Sequence, residues 1–320
     1  MKTKLIAPSA KAMKYDRDVD SLLGTNTKLE KTPNGEDILN SGVTLAPSKR
    51  SGVLDVCRWA TAACIATCCL WFAGRRVGAI IRRAARNRTG LFFFWPDRFY
   101  ERLNHEIGKQ ESEADALGVR SFCRLNVASD LEHDHIPGQH PRTIFYDYTA
   151  GFERIMKYLR GGLPPNYHLV FSVKESTPYD DISDIIAAGG NVAIVVDSYY
   201  WGPSKRYGVM PGRMTFTDGK RSVSVNVIDG DRHDIRTPEF DGRGVAVGLR
   251  LKAQSNRVKK LARDRGFAKP FQFGGKEFSK RFELPQYGEC VVRLPPRAPV
   301  GLNVLSNGCT GCPVAAGCRK

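Results

Sequence analysis

The sequence predicts an α/β fold whose parallel strands form a (β/α) barrel or part of one, with about six to seven strands. The first observation is a series of short β-rich runs: 122–127 (FCRLNV), 143–146 (TIFY), 168–173 (HLVFSV), 191–196 (NVAIVV), 223–228 (VSVNVI) and 245–251 (VAVGLRL). The second is that helical patterns lie between several of them, notably 150–160 and 180–188, the latter closing on Gly189-Gly190. Strand, helix, strand in this rhythm means βαβ units and a parallel sheet, and near-continuous apolar strands fit a sheet covered on both faces. The third concerns polarity: almost every apolar run is followed at its carboxyl end by groups able to do chemistry. They are Asn126, Ser129 and Asp130; Asp147 and Tyr148; Ser172, Lys174 and Glu175; Asp197 and Ser198; Asp229, Asp231, Arg232, His233 and Asp234; then Arg250 and Lys252. In a barrel those ends converge on one mouth, whereas a doubly wound open sheet gathers only those beside its switch point. Solvation of loops explains part of this pattern. Arg124 and Asn126 resist that explanation, because they alternate within an apolar run and so point to one side.

In chain order, residues 1–40 are polar, carry the turn signal Asn34-Gly35, and read as an N-terminal arm. Residues 41–46 (SGVTLA) read as the first strand and 47–51 as the loop leaving it. Residues 58–88, rich in Ala, Arg, Ile and Leu with breaks only at Gly74 and Gly78, read as one or two helices. A further helix spans 96–117, opening on Pro96-Asp97 and closing at Gly118. The barrel-like domain then occupies 41–254, and 255–320 is a basic extension with a cysteine-rich tail. Within 255–282, Phe267, Phe271, Phe273, Phe278 and Phe282 are interleaved with Lys and Arg, which suits either phosphate contact with base stacking or docking on the core.

Forty-nine Lys and Arg stand against 33 Asp and Glu, a net charge of +16, which favours polyanions such as nucleic acid as partners. Residues 1–31 lack the apolar core of a secretory signal, so a cytoplasmic, reducing compartment is expected, consistent with nine unevenly spaced cysteines. The apolar stretch 59–73 (WATAACIATCCLWFA) is followed by Arg75, Arg76, Arg82, Arg83 and Arg86, but it is too short to span a bilayer, so no membrane span is expected.

Cys57, Cys64 and Cys68 cluster soon after the first strand, and Cys309, Cys312 and Cys318 lie in the tail sequence NGCTGCPVAAGCRK. Both groups are candidate metal ligands, for zinc or an iron–sulfur cluster, as two sites or one pooled site. If 57, 64 and 68 fell on one helix they would share a face, yet eleven residues rise about 16 Å, too far for one metal. A shared site therefore needs Cys57 in the loop before the helix. The plainer reading makes the first group small core residues; Cys69, Cys123 and Cys290 are core by default. A cysteine cluster after the first strand of a barrel resembles radical S-adenosylmethionine enzymes, which would imply an open-iron cluster and S-adenosylmethionine as cofactors.

Several segments together resemble the phage gene product 88 family: LLGTNTKLEKT (22–32), VTLAPSKRSG (43–52), the three cysteines ahead of Gly74, RLNVASDLE (124–132), IFYDYT (144–149), NYHLVFS (166–172), VIDGDRHDIR (227–236) and GVAVGLRLKA (244–253). The resemblance covers roughly residues 20–255 and implies phage or prophage origin; it supplies no activity.

Two functions follow. In the first, a metal-dependent or radical-type enzyme acts on an anionic or nucleic-acid-related substrate. Asp147, Lys174, Asp229, Asp231 and His233 are then candidate catalytic groups, and Arg124, Asn126, Asp130 and Arg250 candidate substrate-binding groups. In DGDRHD, a histidine flanked by carboxylates can have its proton affinity raised; the alternative is a turn held by Asp side chains. In the second, the chain is a non-catalytic nucleic-acid-binding protein with structural zinc. A weaker third reading uses 59–88 as a basic amphipathic membrane anchor. The chain has no Walker, Gly-x-Ser-x-Gly or His-Glu-x-x-His sequence, which disfavours common nucleotide hydrolases, serine hydrolases and zincins.

Overall fold

The computed structural model describes residues 18–67, 71, 78–198, 200–201, 206–207, 210–251, 255–271 and 289–295. In chain order these form β1 (Leu23–Gly24), β2 (Ile38–Val43), α1 (Ala62–Thr67), α2 (Ala79–Phe94), α3 (Pro96–Leu117), β3 (Arg120–Arg124), β4 (Thr143–Thr149), α4 (Phe152–Leu159), β5 (Tyr167–Ser172), α5 (Tyr179–Ala187) and β6 (Val192–Ser198). There follow a separate ribbon of β7 (Tyr200–Trp201) and β8 (Arg206–Tyr207), then β9 (Arg213–Thr217), β10 (Ser222–Asp229), α6 (Pro238–Asp241), β11 (Ala246–Arg250), α7 (Asn256–Asp264), β12 (Lys269–Phe271) and β13 (Glu289–Arg293).

The main sheet runs β1-β2-β3-β4-β5-β6-β11-β10-β9-β13, with β12 added to β6. Strands β2, β3, β4, β5, β6, β11 and β10 are mutually parallel, so the polar carboxyl ends expected from the sequence do share one edge. The fold is thus mixed α/β with a mostly parallel sheet. Its outer strands, β1 and β13, do not pair with each other among the described residues.

Period-two alternation sorts β4 into two faces. Phe145 joins the large apolar layer beneath the helices, with Leu169 and Phe171 of β5, Val192 and Ile194 of β6, and Phe99, Leu103 and Ile107 of α3. Helix α3 buries these residues because they recur every four positions; Pro96 starts it and Gly118, at φ 67°, ends it in a left-handed conformation that favours glycine. Tyr146 points the other way, packing with Phe122, Val127, Leu29 and Ile235. That second face is covered by the chain segment between β10 and β11. Ile235 packs against it, Phe240 lies 6.3 Å from the Phe122 ring, and Asn191 Nδ2 donates to the Gly242 carbonyl where the segment ends.

Two expectations about the ends of the domain change. The run expected as an arm contributes β1, the start of β2, and the fully buried Leu22 and Leu29, so the boundary drawn at residue 41 falls inside β2. The backbone N–H groups of Leu22 and Leu23 donate to the Glu106 carboxylate of α3, which ties this polar stretch to the core. Beyond 254, α7 and β12 are regular, and Phe267 is buried with Leu251 and Ala262, in keeping with docking at that position. Among the described residues no helix is long and apolar enough to cross a membrane.

Candidate functional site

The carboxyl edge of the sheet begins with Asn126, in the turn just after β3. Its backbone N–H and Nδ2 donate to Asp147 at 2.7 and 3.1 Å, and its Oδ1 accepts from Ser129 Oγ and the Leu131 N–H. Asp147 is fully buried and also accepts from the Tyr167 hydroxyl at 2.8 Å. Burial raises its pKa, while Arg124, Arg154 and these donors pull it back. Both residues therefore hold the turn after β3 together. Arg124, the last residue of β3, keeps its Nε 3.9 Å from Asp147 Oδ1 but sends its Nη1 to Asp234 on the second face, so the two side chains expected to act on one side share Asp147 and then diverge.

Asp130 lies beside them, its Oδ2 accepting from the Ala150 N–H at 2.8 Å while Oδ1 is buried without a hydrogen bond. Burial raises its pKa to about 6, against the lowering effects of Ala150 N–H, Arg154 and Lys174. Arg154 of α4 donates to the Tyr167 hydroxyl and to Asp134. Lys174 sets its Nζ 5.9 Å from the centre of the Phe267 ring. Glu175 accepts from Thr61 Oγ1 and the Ala63 N–H at the start of α1.

Asp229, Asp231 and Arg250 meet at the ends of β10 and β11. Both Arg250 Nη atoms donate to Asp229, at 2.7 and 2.9 Å, and Arg250 N–H donates to Asp231 at 3.0 Å. Two residues expected as catalytic and one expected to bind substrate are thus joined in one ion-paired group.

His233 corrects its expectation. Its pKa is lowered to about 4, because burial and the neighbouring Arg236 and Lys28 outweigh the backbone contact and Asp234 that favour the charged form. It sits in the segment covering the second face, its ring 6.3 Å from Phe240. The flanking carboxylates are engaged elsewhere: Asp234 accepts from Arg124 Nη1 at 2.8 and 3.0 Å and pairs with Lys28 Nζ at 3.1 Å. Burial alone would raise the Asp234 pKa, but Arg124 and Lys28 hold it well below the usual carboxylate range.

Cys57 lies ahead of α1, outside the helix. It forms an isolated parallel bridge with Asp130, and its Sγ accepts from the Ser48 N–H at 3.1 Å. Cys64 lies in α1, beside the apolar group of Ala63, Leu251, Ala262 and Phe267, whereas Cys57 packs against the helix-side core. Among the described residues, no three His, Cys, Asp or Glu side chains are grouped as metal ligands. Cys68, Cys69, Cys309, Cys312 and Cys318 lie outside the described residues.

Sequence reasoning passed over Arg154, Arg236 and Tyr167, whose surroundings are made by segments far apart in the chain. It weighed Arg75, Arg76, Arg82, Arg83 and Arg86 only as the flank of an apolar stretch, although residues 56–96 also contain Arg58 and Arg88 and no acidic residue. Arg82 and Arg86 of α2 lie 5.0 and 5.7 Å from the centre of the buried Trp71 ring, and Arg86 Nε donates to the Arg50 carbonyl. Arg83, Arg86 and Lys49 are exposed, and none has a carboxylate partner among the described residues.

A family model described as Gene product 88 matches residues 20–269, well over half of the chain. The chain belongs to the Gene product 88 family. The match begins at β1 and ends where β12 starts, so the Gene product 88 region holds all the parallel strands from β2 to β11, while β13 and the tail cysteines lie beyond it. No curated protein and no solved structure matches the chain.

Proposed function

We propose that this protein binds nucleic acid through the basic face formed by the turn at Ser48–Ser51 and helix α2. One observation carries the reading. Residues 56–96 hold seven arginines and no acidic residue, whereas several surface arginines elsewhere are paired with acids, as Arg120 is with Glu239, Arg142 with Asp115 and Arg221 with Asp218 and Asp180. On this face Lys49, Arg83 and Arg86 carry no such pairing among the described residues. Guanidinium groups without a carboxylate are free to replace the counterions of a phosphate backbone, and their planar forks suit phosphate oxygens. Trp71 holds Arg82 and Arg86 in place from beneath, which lowers the entropy lost on binding.

The sheet suits a scaffold of this kind. Strands β2 to β6 follow one another in sequence order along the parallel sheet, an order compatible with the partial barrel we propose. Metal binding by the cysteines is a separate proposal that rests on the tail spacing, and iron, sulfide and zinc assays on anaerobically purified protein test it.

Fluorescence anisotropy with labelled single- and double-stranded oligonucleotides tests the nucleic-acid reading. Affinity is expected to fall steeply with salt. Arg83→Ser with Arg86→Ser should reduce both affinity and the salt slope, the latter by about 1 for each phosphate no longer neutralised. Salt-independent binding, or binding unchanged in the double variant, would overturn it. Ile80 is 75% exposed beside these arginines, so anionic vesicles belong in the same experiment: capture by vesicles without oligonucleotide binding would assign the face to a lipid surface instead.

A further inference from the structure

The segment between β10 and β11 covers the second face of the sheet in an unusual way. Its centre is Arg236, which is 1% exposed and donates to the Gly230 and His233 carbonyls and to Asp241 Oδ1. All three acceptors belong to the segment itself, so the loop is folded around its own arginine. It is tied to the sheet at its start by Gly230 N–H to the Gly248 carbonyl and Asp231 to Arg250, at its end by Asn191 to the Gly242 carbonyl, and between these by the Ile235 and Phe240 contacts, the exposed Glu239–Arg120 pair, and Asp234.

Asp234 enters a receptor for an anion. Arg124 Nη1 donates to both of its oxygens, Lys28 Nζ lies 3.1 Å from Oδ1, and the Tyr146 hydroxyl is 3.4 Å from Oδ2. Arg236 adds positive charge from the loop side. Around this carboxylate the wall has more donors than it fills. Arg124 is 8% exposed, and its Nε makes no hydrogen bond but lies 3.9 Å from Asp147 Oδ1; the Tyr148 hydroxyl is buried without a hydrogen bond, and the Tyr148 ring centre lies 4.7 Å from the Arg124 guanidinium carbon. A carboxylate has two oxygens, and both are engaged. A phosphoryl group brings at least three in a tetrahedral arrangement and more negative charge. The Lys28 side chain, 28% exposed, gives the site an edge open to solvent.

We infer that Lys28, Arg124, Tyr146 and Tyr148 form a binding site for a phosphoryl group, which the chain's own Asp234 fills when the β10–β11 loop is closed. The site lies on the second face of the sheet, apart from the basic face of α2, and stands or falls independently of it. Because the centre of the loop is held together by Arg236, residues 232–241 can withdraw as a unit about their sheet-bonded ends at Gly230–Asp231 and Gly242 and take Asp234 with them.

The test uses the full chain with Asp234→Ala and inorganic phosphate as the probe. Phosphate is expected to raise the melting temperature of the variant saturably, by about 2–4 °C over chloride at equal ionic strength, with a smaller rise in the unaltered protein, where Asp234 competes. Adding Arg124→Met to the variant should abolish the rise, whereas adding Arg83→Ser and Arg86→Ser should leave it. Acetate should act more weakly than phosphate; equal or stronger action by acetate would overturn the phosphoryl assignment. A folded Asp234→Ala protein that responds to phosphate no more than the unaltered chain would overturn the site itself. Should that variant fail to fold, hydrogen exchange on the unaltered protein decides: phosphate should increase exchange across residues 232–241, and an unchanged pattern at saturating phosphate would overturn the inference.

Discussion

The two faces of the sheet are closed by different physics. On the helix face, Phe145, Leu169 and Phe171 meet Phe99, Leu103 and Ile107 in an apolar layer. On the other, Phe122 and Tyr146 share their surface with Asn40, Arg124, Asp234 and Arg236, all buried, and the loop that closes it is organised by hydrogen bonds. Apolar packing is non-directional and weakens in proportion to the volume removed, while a buried ion pair is worth most when one member is removed and the other stranded. One face is therefore sensitive to lost volume, and the other to a stranded charge.

The largest expected effect tests the first half of that contrast. Phe145→Ala should lower unfolding free energy by about 3–5 kcal/mol in urea or guanidinium titration; a loss under about 1 kcal/mol would show that the helix-side layer does not carry the fold. Next, Arg124→Met alone should cost about 3–4 kcal/mol, because buried Asp234 loses its two guanidinium hydrogen bonds and keeps only Lys28, the Tyr146 hydroxyl and the more distant Arg236, and Arg124→Met with Asp234→Leu should recover most of that loss. Equal losses in the single and double variants would make the second face an apolar core like the first.

The two sides also differ in how protons act on them. Burial raises Asp130 from 3.8 to about 6, so the folded protein holds a proton there that the unfolded chain has released. Stability from this group is present near pH 4 and falls as pH rises through 6, by about 2–3 kcal/mol in all, and Asp130→Asn should remove that slope. His233 runs the other way: its pKa falls from 6.5 to about 4, so its contribution is present above pH 6.5 and lost as pH drops towards 4. His233→Gln should flatten the acid side of the stability curve and leave the Asp130 slope in place. The smallest effect belongs to the exposed α2 face, where Arg83→Ser and Arg86→Ser should change stability by no more than about 0.5 kcal/mol, which frees them to report on binding alone.

Much of the fold was legible because it is local. Pro96 and Gly118 bound α3 at both ends, and the strand beginning at Thr143 runs only a few residues further than its apolar core, to Thr149. The parallel arrangement was legible from the strand–helix rhythm. What escaped was set by distant partners. Strand β9 became visible only through its pairing with β10 and β13, and the loop at 230–242 has no period at all, since Arg236 inside it looks like any surface arginine until its three acceptors close around it. At the candidate site, the sequence pointed to the right edge of the sheet but not to the pairings there: Asp229 and Asp231 look like free carboxylates until Arg250 folds back between them. The direction of the His233 shift was misread for the same reason, since burial first, then Arg236 and Lys28, outweigh the pull of Asp234.

Strand β6 takes partners from three parts of the chain: β5 just before it, and β11 and β12 from residues 246–250 and 269–271. During synthesis from the N-terminus, the pairing groups of β6 that β11 will take are exposed while some fifty further residues are made. For that interval the nascent chain carries a Val- and Ile-rich strand with an open edge, the kind of surface on which wrong strand pairing begins. Completion of the sheet is thus coupled to late translation, and a chain halted before residue 246 should be prone to aggregate however well its first two hundred residues have formed.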